Sequence, residues 1–412
     1  MEIQTTQSNN YQPKGYKKFL AVFFIILAFF LGWKYGRAGQ ELTVTSLGKF
    51  IQRNQEAAPK DVNWEMLWDT IKIINDKFVN RPADMQKVLY GAVSGAVNSL
   101  DDPYSVFLPP QQAQQFKDEL AGNLDGIGAE IAIKHERLTV VTPLDNSPAL
   151  KAGIKAGDYI YKVDNAETRD LTVEQAVLKI RGPAGSKVVL TVFHTGETSP
   201  VNITVTRARI EIKSVSWETK QASGKKIGYI KMRRFGDDTT DLLSKATTEF
   251  LAGGVKGVVL DLRNNPGGLL DQAVSVASMW VKPGDTVVLQ KFGNGQQTDY
   301  RGEGNPRLAG VPTVVLINGG SASASEIVAG ALKDHGLAKL VGEKSFGKGS
   351  VQELIDLSDK AQLKLTIAKW LTPKDHDLNK EGLEPDVKVE MTDKDFQDDK
   401  DPQLDKALEL LK

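Results

Sequence analysis

The most continuous pattern along the chain is the apolar run FLAVFFIILAFFLGW, Phe19 to Trp33. It is apolar all round and has no polar face to turn to water, unlike a surface helix of a globular domain. A full membrane span takes about 20 apolar residues, so the run is short. Tyr16, Trp33 and Tyr35 suit the interfaces, and flanking lysines can snorkel. The pattern predicts a transmembrane anchor over 19–35. Basic residues Lys14, Lys17 and Lys18 precede it. They set residues 1–18 on the cytoplasmic side and the bulk of the chain outside, periplasmic or extracellular. A cleaved signal peptide is the competing reading, but no clean small-x-small site follows the run.

A polar linker is expected over 36–61. Helical periodicity then takes over. Asn63 suits a cap for a helix with Trp64, Leu67, Trp68, Ile71, Ile74 and Phe78 on one face, and Pro82 is expected to open a second with Leu89, Val93, Ala96 and Leu100. This helical region, 62–117, closes on SLDDPYSVFLPP, and must pack on the main body or on a second copy. Over 118–207 the period shortens to that of strands: GIGAEIAI, LTVVTPL, a turn and short helix from Ser147, a helix capped by Thr172 with Gln175 in capping-box spacing, then GSKVVLTVF and VNITVTR. This order resembles a PDZ domain. Gly126, Ile127, Gly128 and Ala129 stand where that family places its carboxylate-binding loop. Glycines there let successive N–H groups converge on a carboxylate while a peptide adds as a strand.

From 208 to 390 apolar strands alternate with helices, which predicts an α/β core. Two of its strands run into glycine turns. GVVLDLRNNPGG spans Gly257 to Gly268, and VPTVVLI leads into NGGSASASEI, Asn318 to Ile327, which opens a helix. Sites in such folds lie at the carboxyl ends of strands. Downstream is KSFGKGSVQEL, Lys344 to Leu354. The tail, 391–412, is acidic and ends in a short helix with Asp401 as cap, Pro402 at its first position and a stripe of Leu404, Leu408 and Leu411. That stripe suits either a surface-packed helix or the seam of a homo-oligomer.

Composition narrows the chemistry. The chain has no cysteine, which excludes disulfides, a thiol nucleophile and thiolate metal sites. Its four histidines show no metal-ligand spacing, and a formal net charge of zero gives no reason to expect nucleic acid as a partner. No metal or other cofactor is expected. A serine nucleophile needs a base. His335 lies at the far end of the helix that follows the serines. A lysine with a lowered pKa serves instead in the Ser-Lys variant. Lys348, between Phe346, Gly347 and Gly349, has small and partly apolar neighbours, and Gln352 is placed to orient its amine. Backbone N–H groups of Gly267, Gly268 and Ala324 are available for an oxyanion. The residues alone leave open the choice among Ser321, Ser323 and Ser325, and between Lys344 and Lys348. Asp261 and Arg263 read as order at a strand end, and Trp280 and Trp370 as core.

Taken together, LDLRNNPGGLL, NGGSASASEI, VGEKSFGKGSVQ and EGLEPD resemble the carboxyl-terminal processing proteases, in that family's order, over about residues 62–390. The resemblance implies a mixed-sheet serine protease core with an inserted PDZ domain and an N-terminal helical region. It implies Ser323 as nucleophile, Lys348 as general base, Gln352 as its orienting residue and oxyanion donors near Gly268 and at Ala324. Arg181 matches an arginine that couples peptide docking to the active site in some members. Ser321 stands where many members have threonine. The expected partners are protein or peptide substrates with apolar C-terminal tails. A catalytically silent PDZ scaffold is the alternative.

Overall fold

The computed structural model describes residues 62–412 except 145 and 380. The expected anchor over 19–35 and linker over 36–61 lie outside the described residues. Among those described, no helix is long and apolar enough to cross a membrane.

The chain divides into two compact units between Leu89 and Tyr90. The described part of the first comprises α1 (Glu65–Lys77) and the start of α2 (Met85–Asn98). Asn63 Oδ1 accepts the Glu65 N–H at 3.1 Å, as its capping position predicts. The second helix starts later than Pro82, because Asp84 Oδ1 takes the N–H groups of Gln86 and Lys87.

In the second unit, α2 ends against β1 (Val106–Leu108), where Tyr90, Val93 and Val97 pack with Phe107 and Leu363. Next comes α3 (Pro110–Leu120), a helix the sequence reading did not expect. Its run PQQAQQFKDEL is mostly polar, and its inner face amounts to little more than Ala113, Phe116 and Leu120. The small domain follows: β2 (Asn123–Gly126), β3 (Ala129–Lys134), β4 (Arg137–Pro143), α4 (Pro148–Lys151), β5 (Tyr159–Val163), β6 (Ala166–Glu167), α5 (Val173–Ile180), β7 (Lys187–Phe193), β8 (Val201–Thr206) and β9 (Ala208–Glu211). β3, β4, β5, β7 and β8 form its antiparallel sheet around Leu138, Val140, Ile160, Val188 and Leu190. The capping box of α5 is present, with Thr172 and Gln175 exchanging side-chain and backbone bonds. Pairing of β2 with β9 brings together the two chain segments that lead into and out of this domain.

The core contains β10 (Val215–Ala222), β11 (Lys225–Met232), α6 (Thr239–Ala252), β12 (Gly257–Asp261), α7 (Leu270–Ala277), β13 (Thr286–Phe292), β14 (Gln297–Arg301), β15 (Thr313–Ile317), α8 (Ala324–Asp334), β16 (Lys339–Gly342), β17 (Ser350–Asp356), β18 (Gln362–Leu371), β19 (Val387–Lys388), α9 (Asp393–Gln397) and α10 (Pro402–Leu410). One sheet runs β10-β11-β12-β15-β16-β19, parallel except for the β10–β11 pair. β12 and β15 are buried throughout, which is why their sequences are unbroken apolar runs. Their side chains alternate between two cores. Val258, Leu260, Val315 and Ile317 join the side of α6, α7 and α8, while Val259, Val314 and Leu316 meet α10 through Ala407 and Leu411. The leucine stripe of the tail is thus covered within the chain. A second sheet, β1-β18-β13-β14 with β17 on β18, faces the glycine turns and carries the lysine segment.

Candidate active site

The carboxyl ends of β12 and β15 supply two turns that lock together. Asn265 is fully buried between them. Its Nδ2 donates to Met232 O, its Oδ1 accepts the Gly267 N–H, and its backbone carbonyl accepts the Ala322 N–H, all at 2.9–3.0 Å. Asn264 and Asn318 bond each other reciprocally at 2.9 Å, with Asn264 at positive φ, a conformation asparagine tolerates. Ser323 ends the second turn at φ 56°, in backbone space that a non-glycine residue rarely adopts. Strain of this kind persists only where its surroundings hold it.

The three serines have different surroundings. Ser321 and Ser325 are fully buried, and their hydroxyls donate to Leu262 O at 2.8 Å and to Asn265 O at 2.9 Å. Ser323 is half-buried and lines a cleft of about 560 Å³ together with Gly267, Gly268, Lys348, Gln352 and Trp370. Trp370, read as core, is buried and also forms part of this wall. Lys344 lies outside, exposed and paired with Glu384 at 3.0 Å. His335 bonds Thr286 O instead of approaching the serines.

Of the candidate oxyanion donors, the N–H groups of Gly268 and Ala324 make no hydrogen bond among the described residues, while that of Gly267 is taken by Asn265. Gly267 contributes shape. A Cβ there would lie 2.9 Å from Ser323 Cβ and 2.8 Å from Ala322 O, too close for any side chain. Gly268 is hemmed in by the Phe235 carbonyl. Phe235 also bonds both flanks of that glycine, donating to Gly267 O and accepting from Leu269 N.

Lys348 is half-buried. Burial and the charge of Lys364 push its amine down to about 8, against the pull of Glu326 and Asp102. Its Nζ stands 5.1 Å from the centroid of the Tyr104 ring and makes no hydrogen bond to Ser323 among the described residues. Gln352 likewise departs from the sequence expectation. A bulge at Val351/Gln352 shifts the β17–β18 register, and its Nε2 donates to Ser350 Oγ at 2.8 Å and Thr366 Oγ1 at 3.3 Å instead of engaging Lys348.

The residue that joins the two halves was missed by sequence reasoning. Glu326 is fully buried in the first turn of α8. Its Oε2 accepts the N–H of Ser323 and of Lys348, and its Oε1 accepts Ser345 Oγ and the N–H of Gly347. The only available signal was an acid among small and apolar residues three positions past Ser323. Arg263, by contrast, behaves as read. It bridges Asp261 and Asp401 with bonds of 2.7–3.0 Å and ties α10 to the end of β12.

In the small domain, Gly126, Ile127, Gly128, Ala129, Val177 and Arg181 line a separate cavity of about 160 Å³. The N–H groups of Ile127 and Gly128 make no hydrogen bond among the described residues. Gly128 sits at φ 72°, where a side chain would strike Ser147. Arg181 pairs with Glu119 of α3 at 3.0 Å, and Glu119 lines the large cleft.

The turns, cleft and small domain agree with the comparisons to known proteins. A carboxyl-terminal-processing protease from Picosynechococcus is 40% identical over 77% of this chain and 77% of its own length. This chain belongs to the carboxyl-terminal processing proteases. The profile of peptidase family S41 matches residues 226–389, that of a PDZ domain 125–205, and that of the activating protease CtpB N-terminal domain 26–111. The carboxy-terminal processing protease CtpA of Bacillus subtilis is 34% identical over 92% of this chain and 78% of its own. Among solved structures, the photosystem II D1 C-terminal processing protease superposes with a TM-score of 0.52 at 34% identity, covering 78% of this chain and 86% of that one. The chain is therefore a serine peptidase of family S41 with a PDZ domain.

Proposed function

We propose that this protease is a membrane-anchored, extracytoplasmic endopeptidase. Its PDZ domain captures the C-terminal tail of a protein substrate, and Ser323 with Lys348 cleaves the chain through an acyl-enzyme. The observation that carries the reading is the sharing of one cleft by three features: the Ser323 hydroxyl, the uncommitted N–H group of Gly268, and an amine whose pKa is about 8, with the uncommitted Ala324 N–H next in the chain to Ser323. Ser323 Oγ attacks the scissile carbonyl carbon, and its proton passes to the neutral Lys348 amine. The carbonyl oxygen, now an anion, is received by the Gly268 and Ala324 N–H groups. Collapse breaks the C–N bond as Lys348 returns the proton to the leaving amine. Water, deprotonated by the same lysine, then releases the acyl group and restores Ser323.

In the arrangement described, the amine rests over Tyr104 and Gln352 on Ser350 and Thr366. Engagement needs Lys348 to swing its flexible side chain off the ring, with Gln352 turning to orient it. The Ile127 and Gly128 N–H groups suit a substrate's terminal carboxylate, and the apolar wall of Val177 and Ile180 suits an apolar last residue. Arg181, through Glu119, stands between that cavity and the cleft. The run Phe19–Trp33 supports the anchor and the side of the membrane.

The deciding experiment compares wild type with Ser323→Ala on an unstructured substrate with an apolar C-terminus. Cleavage by wild type and none by the variant, with tail binding retained in both, is the expected result. Equal cleavage by the two, or binding without cleavage by wild type, overturns the reading. Membrane fractionation of the full chain against one lacking residues 1–35 tests the anchor.

A further inference from the structure

The cleft holds a second lysine that the reaction above does not use. Lys364 lies on β18, across the ladder from Leu354 of β17 and Val106 of β1. Two residues on, Thr366 pairs with Gln352, so strand alternation puts Lys364 on the face of β18 that carries Thr366. It lines the same cleft as Ser323 and Lys348. Its ammonium stands 5.4 Å from the centroid of Phe116, much as that of Lys348 stands over Tyr104.

The charges around the two lysines are few. Asp102 faces both, but its carboxylate accepts Ser105 Oγ at 2.5 Å and the Tyr104 N–H at 3.2 Å. Glu326 faces Lys348 from α8 with its four bonds already made. Glu119 is paired with Arg181, and the Arg234 guanidinium is spent on Leu120 O, Ile212 O and Asp238. Among the described residues Lys364 forms no ion pair and no side-chain hydrogen bond.

We propose that Lys364 is a positioning residue that acts through charge: its unpaired ammonium, held in the Ser323 cleft, keeps Lys348 in the neutral form that accepts a proton. Two half-buried ammonium groups in one cleft disfavour each other, and a neighbouring cation is an established way to make a lysine basic at ordinary pH. Burial lowers both amines. Asp102 supports the charge on Lys364, whereas Lys348 feels the charge of Lys364 in addition. The inference rests on Lys348 being the base.

The test is the pH profile of kcat/KM for wild type, Lys364→Met and Lys364→Arg, with Lys348→Ala as control. The rising limb should move up by roughly one pH unit in Lys364→Met and return to the wild-type position in Lys364→Arg. A limb unmoved in folded Lys364→Met overturns the proposal. Should that variant fail to fold, the neutral Lys364→Gln replaces it, with the same upward shift expected and an unmoved limb again overturning the proposal. Arginine stays charged throughout, so its limb must lie at or below that of wild type, and an upward shift refutes the role. Retained activity in Lys348→Ala removes the base itself. An inactive Lys348→Ala with an unmoved Lys364→Met limb removes only the claim about Lys364.

Discussion

The backbone N–H groups of Ser323 and Lys348 donate to the same oxygen, Glu326 Oε2, at 2.8 and 3.0 Å. Two segments from different sheets of the core are thereby held in register by one buried carboxylate. A carboxylate only accepts hydrogen bonds, so it can satisfy four donors at once.

Glu326→Gln should disturb both segments. A carboxamide turns one acceptor into a donor that faces N–H groups or the Ser345 hydroxyl. A lost bond to a charged group costs about 2 kcal/mol, and misplacement of the reacting groups should lower kcat on the order of 100-fold. Thermal unfolding and steady-state kinetics on one preparation would check both; wild-type values for the two would refute the clamp.

With Lys348 as the proposed base, activity should rise with pH through about 8, because the base must be neutral and burial holds the Lys348 amine near that value. The same shift affects stability. Between about 8 and the ordinary 10.5 the folded state binds fewer protons at Lys348 than the unfolded chain, so this residue adds stability as pH rises and detracts from it below. Lys348→Met should therefore be inactive and melt higher than wild type at pH 7, by a margin that closes as pH rises through that window. Melting curves at three pH values would measure it, and a margin independent of pH would count against the shifted amine.

Gly267→Ala should fold with the nucleophile displaced. The new Cβ meets Ser323 Cβ and Ala322 O inside 3 Å and must hold φ near 102°. The loss should fall mainly on kcat, roughly 100-fold, with tail binding by the PDZ domain unchanged. A loss confined to KM would point to a binding role for the turn.

Arg263→Ala should destabilise far more than Asp401→Ala. The arginine neutralises Asp261, which is 2% exposed, and its removal strands a buried charge, a loss of about 3–5 kcal/mol. Asp401 is partly exposed, so its own loss leaves Arg263 still paired with Asp261. Denaturant midpoints of the two variants give the order directly, and equal midpoints would refute it.

Much of the fold was legible because its signals are local. β12 and β15 read as unbroken apolar runs because they are buried on both faces. The capping box at Thr172 and Gln175, and the Asp401–Pro402 start of α10, depend on side chains a few residues apart. Helix α3 was missed for the converse reason. Phe116 and Leu120 are too few to mark a helix face within PQQAQQFKDEL, and they matter only because the cleft lies beside them.

By itself, the sequence determined most of the order of elements, the two glycine turns at strand ends, and the absence of any thiol and of a histidine close to the serines. Those follow from period, from composition and from the conformations glycine and asparagine tolerate. Tertiary structure decided what depends on distance across the fold. It committed the Ser321 and Ser325 hydroxyls to carbonyls and left Ser323 in the cleft. It gave the Gly267 N–H to Asn265, set Gln352 on Ser350 and Thr366, and brought Lys364 from a strand beyond the serine turn into the same cleft as Lys348. A hydrogen bond or a charge acts over a few ångströms between residues that stand dozens of positions apart or, as with Arg263 and Asp401, 138 positions apart, and only the packed sheets fix which of them meet.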